Sequence, residues 1–358
     1  MCIAGCHPYA VPRVVKIGLV APFEGHDRYI GYDAVYAARL AIREINTAGG
    51  LDGWRFELVA YDDRGDVELA QSVARNLAID PDVVLVIGHY RPDTTAVAAP
   101  IYAEAGLPLI AIGGWVDTHT EASSGGAWST VTSPPGVRHL LPGPHYLAEA
   151  MLREVPEGTD AVVWGQGPIA DYLLQAPSVV TDAAVPPVGV GAAFGLLSPI
   201  EAAETLLAWR EAGWRGLLVG EANLAAASFR EVAGMEAVGT GFVTPYPFPR
   251  DVEGAAPWRE RYLGVGPHVS EPGLYALPTY EAVYLAAEAA AGAFSEEPKN
   301  ARVEVAEALE DARRVGLLGE IRWDGDGYWE TPPLYVYRWT EEGPALMHVV
   351  TSSAEAAP

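Results

Sequence analysis

Val14-Val15-Lys16-Ile17-Gly18-Leu19-Val20-Ala21-Pro22-Phe23-Glu24-Gly25 is a short apolar run entering a loop that carries proline and glycine. A long helix pattern follows and ends in Arg43-Glu44-Ile45-Asn46-Thr47-Ala48-Gly49-Gly50. A second strand pattern, Arg55 to Tyr61, then closes on Asp62-Asp63. Strand, glycine-bearing loop, helix and strand in this order make the βαβ unit of an open parallel sheet. Ligands of such sheets bind beyond the carboxyl ends of the strands, so residues 22–31 are the first place to look for one.

The alternation continues outward. Val67 to Ala78 reads as a helix with Leu69, Val73 and Leu77 on one face. Val83 to Gly88 is wholly apolar, as a strand buried on both faces should be. Thr94 to Ala105 suits a helix and Leu107 to Gly114 a strand, so the first 115 residues hold four strands and three helices. Residues 120–136, rich in Thr, Ser, Gly and Pro, break the rhythm and read as a crossing segment. A second α/β run occupies roughly 146–244, with 176–199 legible only loosely. Tyr246-Pro247-Phe248-Pro249 reads as a second crossing, followed by helices Tyr275 to Gly292 and Ala301 to Val315. The end is β: Gly319 to Trp323, a turn at Asp324-Gly325-Asp326-Gly327, then Leu334 to Trp339 and Ala345 to Val350.

At 358 residues the chain suits two domains, and with half its residues apolar it has no difficulty burying cores. The formal net charge of -24 opposes a phosphate backbone, which argues against nucleic-acid binding and against an anionic membrane surface. The only cysteines, Cys2 and Cys6, lie in the first six residues, so no disulfide or thiolate metal site forms in the body. Ile3-Ala4-Gly5-Cys6 looks like a bacterial lipobox with Cys6 as the lipidated residue, although the apolar segment that should precede it is missing. No metalloprotease, serine-elbow or phosphate-loop motif occurs. Gly189-Val190-Gly191-Ala192-Ala193-Phe194-Gly195 misses the dinucleotide fingerprint by one place. Asp324 to Gly327 reads as a hairpin turn, since it lacks the further acidic ligands of a calcium loop. His89 is expected to make a structural hydrogen bond, and Asp62-Asp63 to serve loop geometry. No cofactor or metal is expected.

The residues together resemble the branched-chain amino-acid binding family of periplasmic binding proteins, the type I fold of ABC-transporter receptors. The resemblance runs through Lys16-Ile17-Gly18, Pro22 with Gly25 and Gly31, Ala41 to Asn46 before Gly49-Gly50, and Tyr61-Asp62-Asp63. It continues in Val86-Ile87-Gly88-His89, Glu211-Ala212-Gly213-Trp214, Val232-Ala233-Gly234, Tyr280-Glu281-Ala282-Val283 and Gly319 to Asp324. The resemblance implies an α/β fold of two Rossmann-like lobes with parallel-sheet cores, joined by three hinge crossings. On that pattern the first lobe takes 12–118 and 248–322, and the second 119–247 and 323–350. Residues 1–11 form a lipobox-like leader or tether and 351–358 a tail. The second lobe is expected to lack about one strand-helix unit across 176–199.

The implied function is non-enzymatic: a small solute held in the cleft by hinge closure and handed to the membrane permease of an ABC importer. The protein is expected to be a monomer outside the cytoplasm, touching the membrane only through a lipid anchor. The rival reading is the ligand-sensing domain of a regulator or receptor; a hydrolase or dehydrogenase lacks its motifs. Where the family has a serine for the ligand carboxylate this chain has Pro92, and where it has a threonine this chain has Trp115. The acid that holds the ammonium falls near Ala222, one step from Glu221, and Tyr172 is close to the family's second-lobe tyrosines. The cleft-lining candidates are therefore Arg28, Tyr29, Arg91, Asp93, Thr94, Trp115, Asp117, Gln166 and Glu221. Arg28 and Arg91 would clamp a carboxylate, while Trp115, with room opened by Gly113-Gly114, and Tyr29 would stack on a ring. These features favour a small polar or aromatic acid or amide, or an amino-acid-like ligand.

Overall fold

A computed structural model describes residues 13–115, 133–181, 189–294 and 300–351. The Cys6 lipobox, Asp117 and most of the Thr/Ser/Gly-rich segment lie outside these residues. Strand β1 (Arg13–Ala21) leads into helix α1 (Arg28–Thr47), and β2 (Trp54–Asp62) into α2 (Val67–Ile79). Next come β3 (Val83–Ile87), α3 (Pro92–Glu104) and β4 (Leu109–Ala111), completing the expected four strands and three helices. Helix α2 starts where Asp66 accepts the Leu69 N–H at 2.8 Å, which satisfies one of the free donors of the first turn. All five residues of β3 are buried, as a central parallel strand covered on both faces requires.

The fifth strand, β5 (Val137–His139), pairs in parallel with β4 and gives a first sheet ordered β2-β1-β3-β4-β5. A lobe boundary at 118/119 would have put this strand in the other lobe. The sheet instead places the first change of lobe after His139. The second half holds α4 (Pro144–Arg153), β6 (Ala161–Gly165), α5 (Pro168–Leu173), β7 (Val179–Thr181) and β8 (Ala192–Leu196). The stretch expected to lack a unit thus carries two strands, β7 and β8. Helix α6 (Pro199–Glu211), β9 (Leu217–Gly220), α7 (Ala227–Ala233) and β10 (Gly241–Thr244) follow. A capping box at Ser198 and Glu201 starts α6.

The chain then returns with α8 (Ala256–Leu263), α9 (Ala276–Ala293) and α10 (Ala301–Glu310), whose helix α9 packs on α1 and β3 of the first sheet. A two-stranded ribbon, β11 (Arg314–Gly316) with β12 (Gly319–Ile321), precedes β13 (Leu334–Trp339) and β14 (Pro344–Val350). These last two complete a second sheet, β14-β13-β10-β9-β8-β6-β7, in which only the pairings of β13 with β10 and with β14 are antiparallel. Its parallel part, β7-β6-β8-β9-β10, repeats the order of the first sheet. Each lobe is therefore doubly wound, and each has a switch point where successive crossovers leave on opposite faces.

Three crossings connect the lobes, and they are tied to one another. His139 donates its backbone N–H to Gly327 at 2.8 Å, and the Trp329 N–H reaches the His139 and Leu141 carbonyls at 3.0 and 2.9 Å. The Tyr246 hydroxyl stands 2.6 Å from the Ile112 carbonyl and 2.5 Å from that of Leu140, donating to one at a time. Asp324 accepts the N–H groups of Asp326 and Tyr328 at 3.0 and 2.9 Å, so Asp324 to Gly327 is a turn, as expected.

Candidate functional site

The carboxyl ends of the first sheet deliver three loops to one edge: 22–27 after β1, 88–91 after β3 and 112–115 after β4. In the second sheet, 166–167 follow β6, 197–198 follow β8, and Glu221 follows β9. Two surface pockets among the described residues lie elsewhere. One is on the outer face beside Leu40, Glu44 and Arg261, the other at the amino-terminal edge around Gly191 and Trp214. Neither touches the strand ends where doubly wound sheets hold ligands.

The first-sheet loops are locked before any ligand arrives. Asp62 accepts the Phe23 N–H at 2.7 Å and the Arg64 N–H at 2.9 Å. Asp63 accepts the Gly65 N–H at 3.0 Å, and its other oxygen lies 2.6 Å from His89 Nδ1, both side chains being fully buried. His89 Nε2 continues to the Tyr102 hydroxyl at 3.2 Å, so the histidine is structural, as its sequence context suggests. Among the described residues no group of acids, histidines or cysteines is placed to hold a metal.

Arg91 does not stand free for a carboxylate. Its guanidinium reaches Asp27 at 2.6 Å and grips both oxygens of Asp93 at 3.1 and 3.0 Å. The two carboxylates hold Arg91 above the usual arginine range even though desolvation opposes this. The clamp expected of Arg91 is thus filled by the protein's own acids. Arg28, expected on a loop, is the first residue of α1, exposed and without an ion pair to any described residue. Thr94 is buried and gives its hydroxyl to the Arg91 carbonyl at 3.2 Å; Thr95 bonds the Arg91 and Gly113 carbonyls at 2.7 and 2.6 Å.

Gly113 and Gly114 also depart from expectation. The space beside them is filled by the backbones of Tyr90 and Pro92, so the glycines serve loop-to-loop contact rather than ligand approach. Trp115 is buried, and its indole N–H donates to the Pro142 carbonyl at 2.9 Å, joining the β4 loop to the first crossing. Its role is core packing at the hinge rather than an open platform. Gln166 is exposed between Gly165 and Gly167. Tyr172 lies against His145 at 5.7 Å between ring centroids.

Tyr275, which is not among the sequence candidates, stands beside one of them, Tyr29. It is buried just before α9, with ring centroids 6.4 Å from Tyr29, 5.8 Å from Tyr90 and 6.0 Å from Tyr246. Asp33 of α1 positions it by accepting the Gly273 and Tyr275 N–H groups at 3.0 and 3.3 Å. Burial pushes the Tyr275 hydroxyl well above its ordinary range, and next in weight is the field of Glu221 from the other lobe. Glu221 itself is half-buried, and desolvation raises its carboxyl to about 7.

Residues 14–168 match the family described as periplasmic binding protein. The Leu/Ile/Val-binding protein homolog 1 of Brucella melitensis is 26% identical over 348 residues, covering 91% of this chain and 90% of that protein. Over residues 14–168 the chain is thus similar to the periplasmic binding proteins, and with the solved structures it shares the fold. Among solved structures, the branched-chain amino-acid transporter substrate-binding protein LivJ of Streptococcus pneumoniae, crystallised with isoleucine, superposes with a TM-score of 0.76. It is 21% identical, covering 95% of this chain and all of that one. The leucine-binding protein LivK of Thermotoga maritima gives a TM-score of 0.77 at 18% identity, over 94% and 99% of the two chains. The switch points and crossings described above are those of this periplasmic binding protein fold.

Burial of Asp33 has a measurable consequence. Desolvation raises its carboxyl from 3.8 to about 7 despite the two N–H groups it accepts. A carboxyl raised on folding stabilises the fold below its unfolded value, and this contribution is lost as pH rises through the folded value. We expect stability to fall between about pH 4 and pH 7, and Asp33→Asn to flatten that fall while keeping an acceptor for both N–H groups. Urea midpoints at pH 5 and pH 8 for both proteins check this; identical slopes would show that Asp33 does not titrate in the window.

Proposed function

We propose that this chain is an extracytoplasmic solute-binding protein of an ABC importer, taking one small polar solute between its lobes. The supporting observation is that two sheets of the same parallel order, joined by three crossings, present the Arg28-Tyr29 segment and Glu221 beyond strand carboxyl ends, where doubly wound sheets hold ligands. A solute seated there touches both lobes, so its binding energy favours the closed arrangement and the permease reads that shape. Tyr29, Tyr275 and Glu221 are the contacts we assign, with Arg28 and Gln166 at the rim. Arg91, Asp93 and Thr94 hold the loops that present them. No bond is made or broken in this cycle. Among the described residues no helix is long and apolar enough to cross a membrane, and the lobes act as a carrier that a permease must meet.

A thermal-shift screen of amino acids, amides, urea, amines, aromatic acids and polyols tests the reading. A solute at a hundred times its dissociation constant adds about 2.7 kcal/mol to stability. The same solute should shrink the radius of gyration in small-angle scattering as the lobes shut. A hit that leaves the radius unchanged, or that is chemically converted, would remove the carrier reading.

A further inference from the structure

We infer that the exposed face of α1 is where the first lobe docks, and that its partner is an acidic segment of the permease that receives the solute. This rests on the importer reading above and names the surface and the chemistry of the meeting. At 3.6 residues per turn, Arg28, Tyr32, Tyr36, Arg39 and Arg43 fall within a sector of roughly 80° on α1. The stripe they form is about 22 Å long at 1.5 Å per residue. The side chains of Arg28, Arg39 and Arg43 are exposed and have no ion-pair or hydrogen-bond partner among the described residues. Acids outnumber bases by 47 to 23 in this chain, and elsewhere arginines pair with them, as Arg64 does with Glu24, Arg259 with Glu271 and Arg314 with Glu281. The carboxylates on α1 and just before it are already engaged. Asp27 holds Arg91, and Asp33 accepts the Gly273 and Tyr275 N–H groups. Glu44 takes Arg261 at 2.7 Å and the Tyr280 and Tyr284 hydroxyls at 2.5 and 3.3 Å. The helix thus offers unpaired positive charge with no unpaired acid beside it, which a carboxylate-bearing partner complements.

The tyrosines are a second, independent observation. Tyr32 is 44% exposed, and its ring stacks on that of Tyr36 with centroids 6.3 Å apart and 22° between the planes. Tyr36 in turn meets the buried Tyr262 of α8 edge-on at 6.3 Å, which fixes the pair before any partner arrives. Pre-ordered tyrosines beside arginines are the side chains that dominate protein interfaces, because they bury area at little entropic cost. At the carboxyl end of α1 the stripe meets a groove of about 560 Å³ lined by Leu40, Arg43, Glu44, Thr47 and Arg261, with room for a side chain of the docked segment. At the other end it starts at the loop after β1, on the cleft rim. A partner lying along it therefore reaches the rim, where closure is felt, and that position selects the permease among acidic proteins. An anionic lipid surface is the poorer occupant, since the net charge of -24 repels it as a whole.

Photocrosslinking in the cells that make the protein decides it. The full chain carries p-benzoylphenylalanine in place of Tyr32 or, as control, of Ile79, an 81%-exposed residue at the end of α2. Irradiation should join the Tyr32 probe, and not the Ile79 probe, to a permease subunit of an ABC importer, at a segment richer in Asp and Glu than in Lys and Arg. Arg39→Glu with Arg43→Glu should lower the yield at least ten-fold, whereas Arg39→Lys with Arg43→Lys should keep most of it. Arg75→Glu, at an exposed and unpaired arginine of α2, should leave the yield unchanged. Thermal midpoints equal to the parent's show that the variants are folded. Adducts with lipid, with a second copy of the chain or with nothing overturn the inference, and so does a yield indifferent to the charge reversal. In those cases a solute that contracts the protein in scattering leaves the carrier reading standing alone. An adduct with an acidic membrane protein outside any importer overturns the partner and the importer reading together.

Discussion

Asp63→Ala is expected to lower stability by about 3 kcal/mol, the cost of leaving the buried His89 ring nitrogen and the Gly65 N–H without their acceptor. The carboxylate oxygen lies 2.6 Å from His89 Nδ1 with both side chains sealed from water, so nothing replaces it. The same residue also holds the Gly65 N–H, which sets the turn ahead of α2. Asp63→Asn keeps an acceptor for one of these donors and should lose roughly half as much. Urea denaturation of the three proteins checks the order. Equal midpoints for the alanine and asparagine variants would show that the pair is not what ties the β2 loop to the β3 loop.

Gly31→Ala should cost about 3 kcal/mol, at the upper end of overpacking penalties. A methyl group there would be forced against the Pro22 carbonyl and 2.6 Å from the Phe23 ring, where the β1 loop crosses the first turn of α1. Backbone cannot retreat as a flexible side chain would, so relief must move the loop itself. Gly292→Ala is the matched control. It lies in helix α9 with open space around its position, and it should be neutral or slightly stabilising. A Gly31→Ala protein as stable as that control would mean that the loop is not packed on the helix as described.

Much of the first lobe was legible because its signals are local. β1 to β4 and α1 to α3 appear as expected within a few residues at each end, and β3 is as buried as its unbroken apolar run implied. Strand β5 escaped because three residues, Val137–His139, carry no periodicity and follow a stretch dominated by turn formers. Helix α8 was missed for a related reason: its arginines and glutamate dilute the apolar face that Trp258 and Tyr262 bury. Strands β7 and β8 were hidden in the Pro- and Gly-rich stretch around 176–199.

The site was less legible than the fold. Glu221 follows β9 directly, as its strand pattern implied, so its place at a sheet edge was legible. Tyr275 was not, since its position depends on Asp33, which is 242 residues away in sequence. Spacing shows that an arginine is present at 91 but not that Asp27 and Asp93 pair with it. The surroundings of Trp115 were hidden likewise, because the backbone filling the space beside Gly113 and Gly114 comes from another loop.

The last two strands of the second sheet, β13 and β14, come from the final stretch of chain, and β10 pairs with β13. A ribosome releasing this protein therefore leaves β10 with a naked edge until residues beyond 334 emerge. Any product cut short before that point would carry an open row of peptide groups able to recruit another chain. Assembly of the second sheet must wait until β13 and β14 have emerged, and fragments that stop before them should precipitate rather than yield a free-standing half.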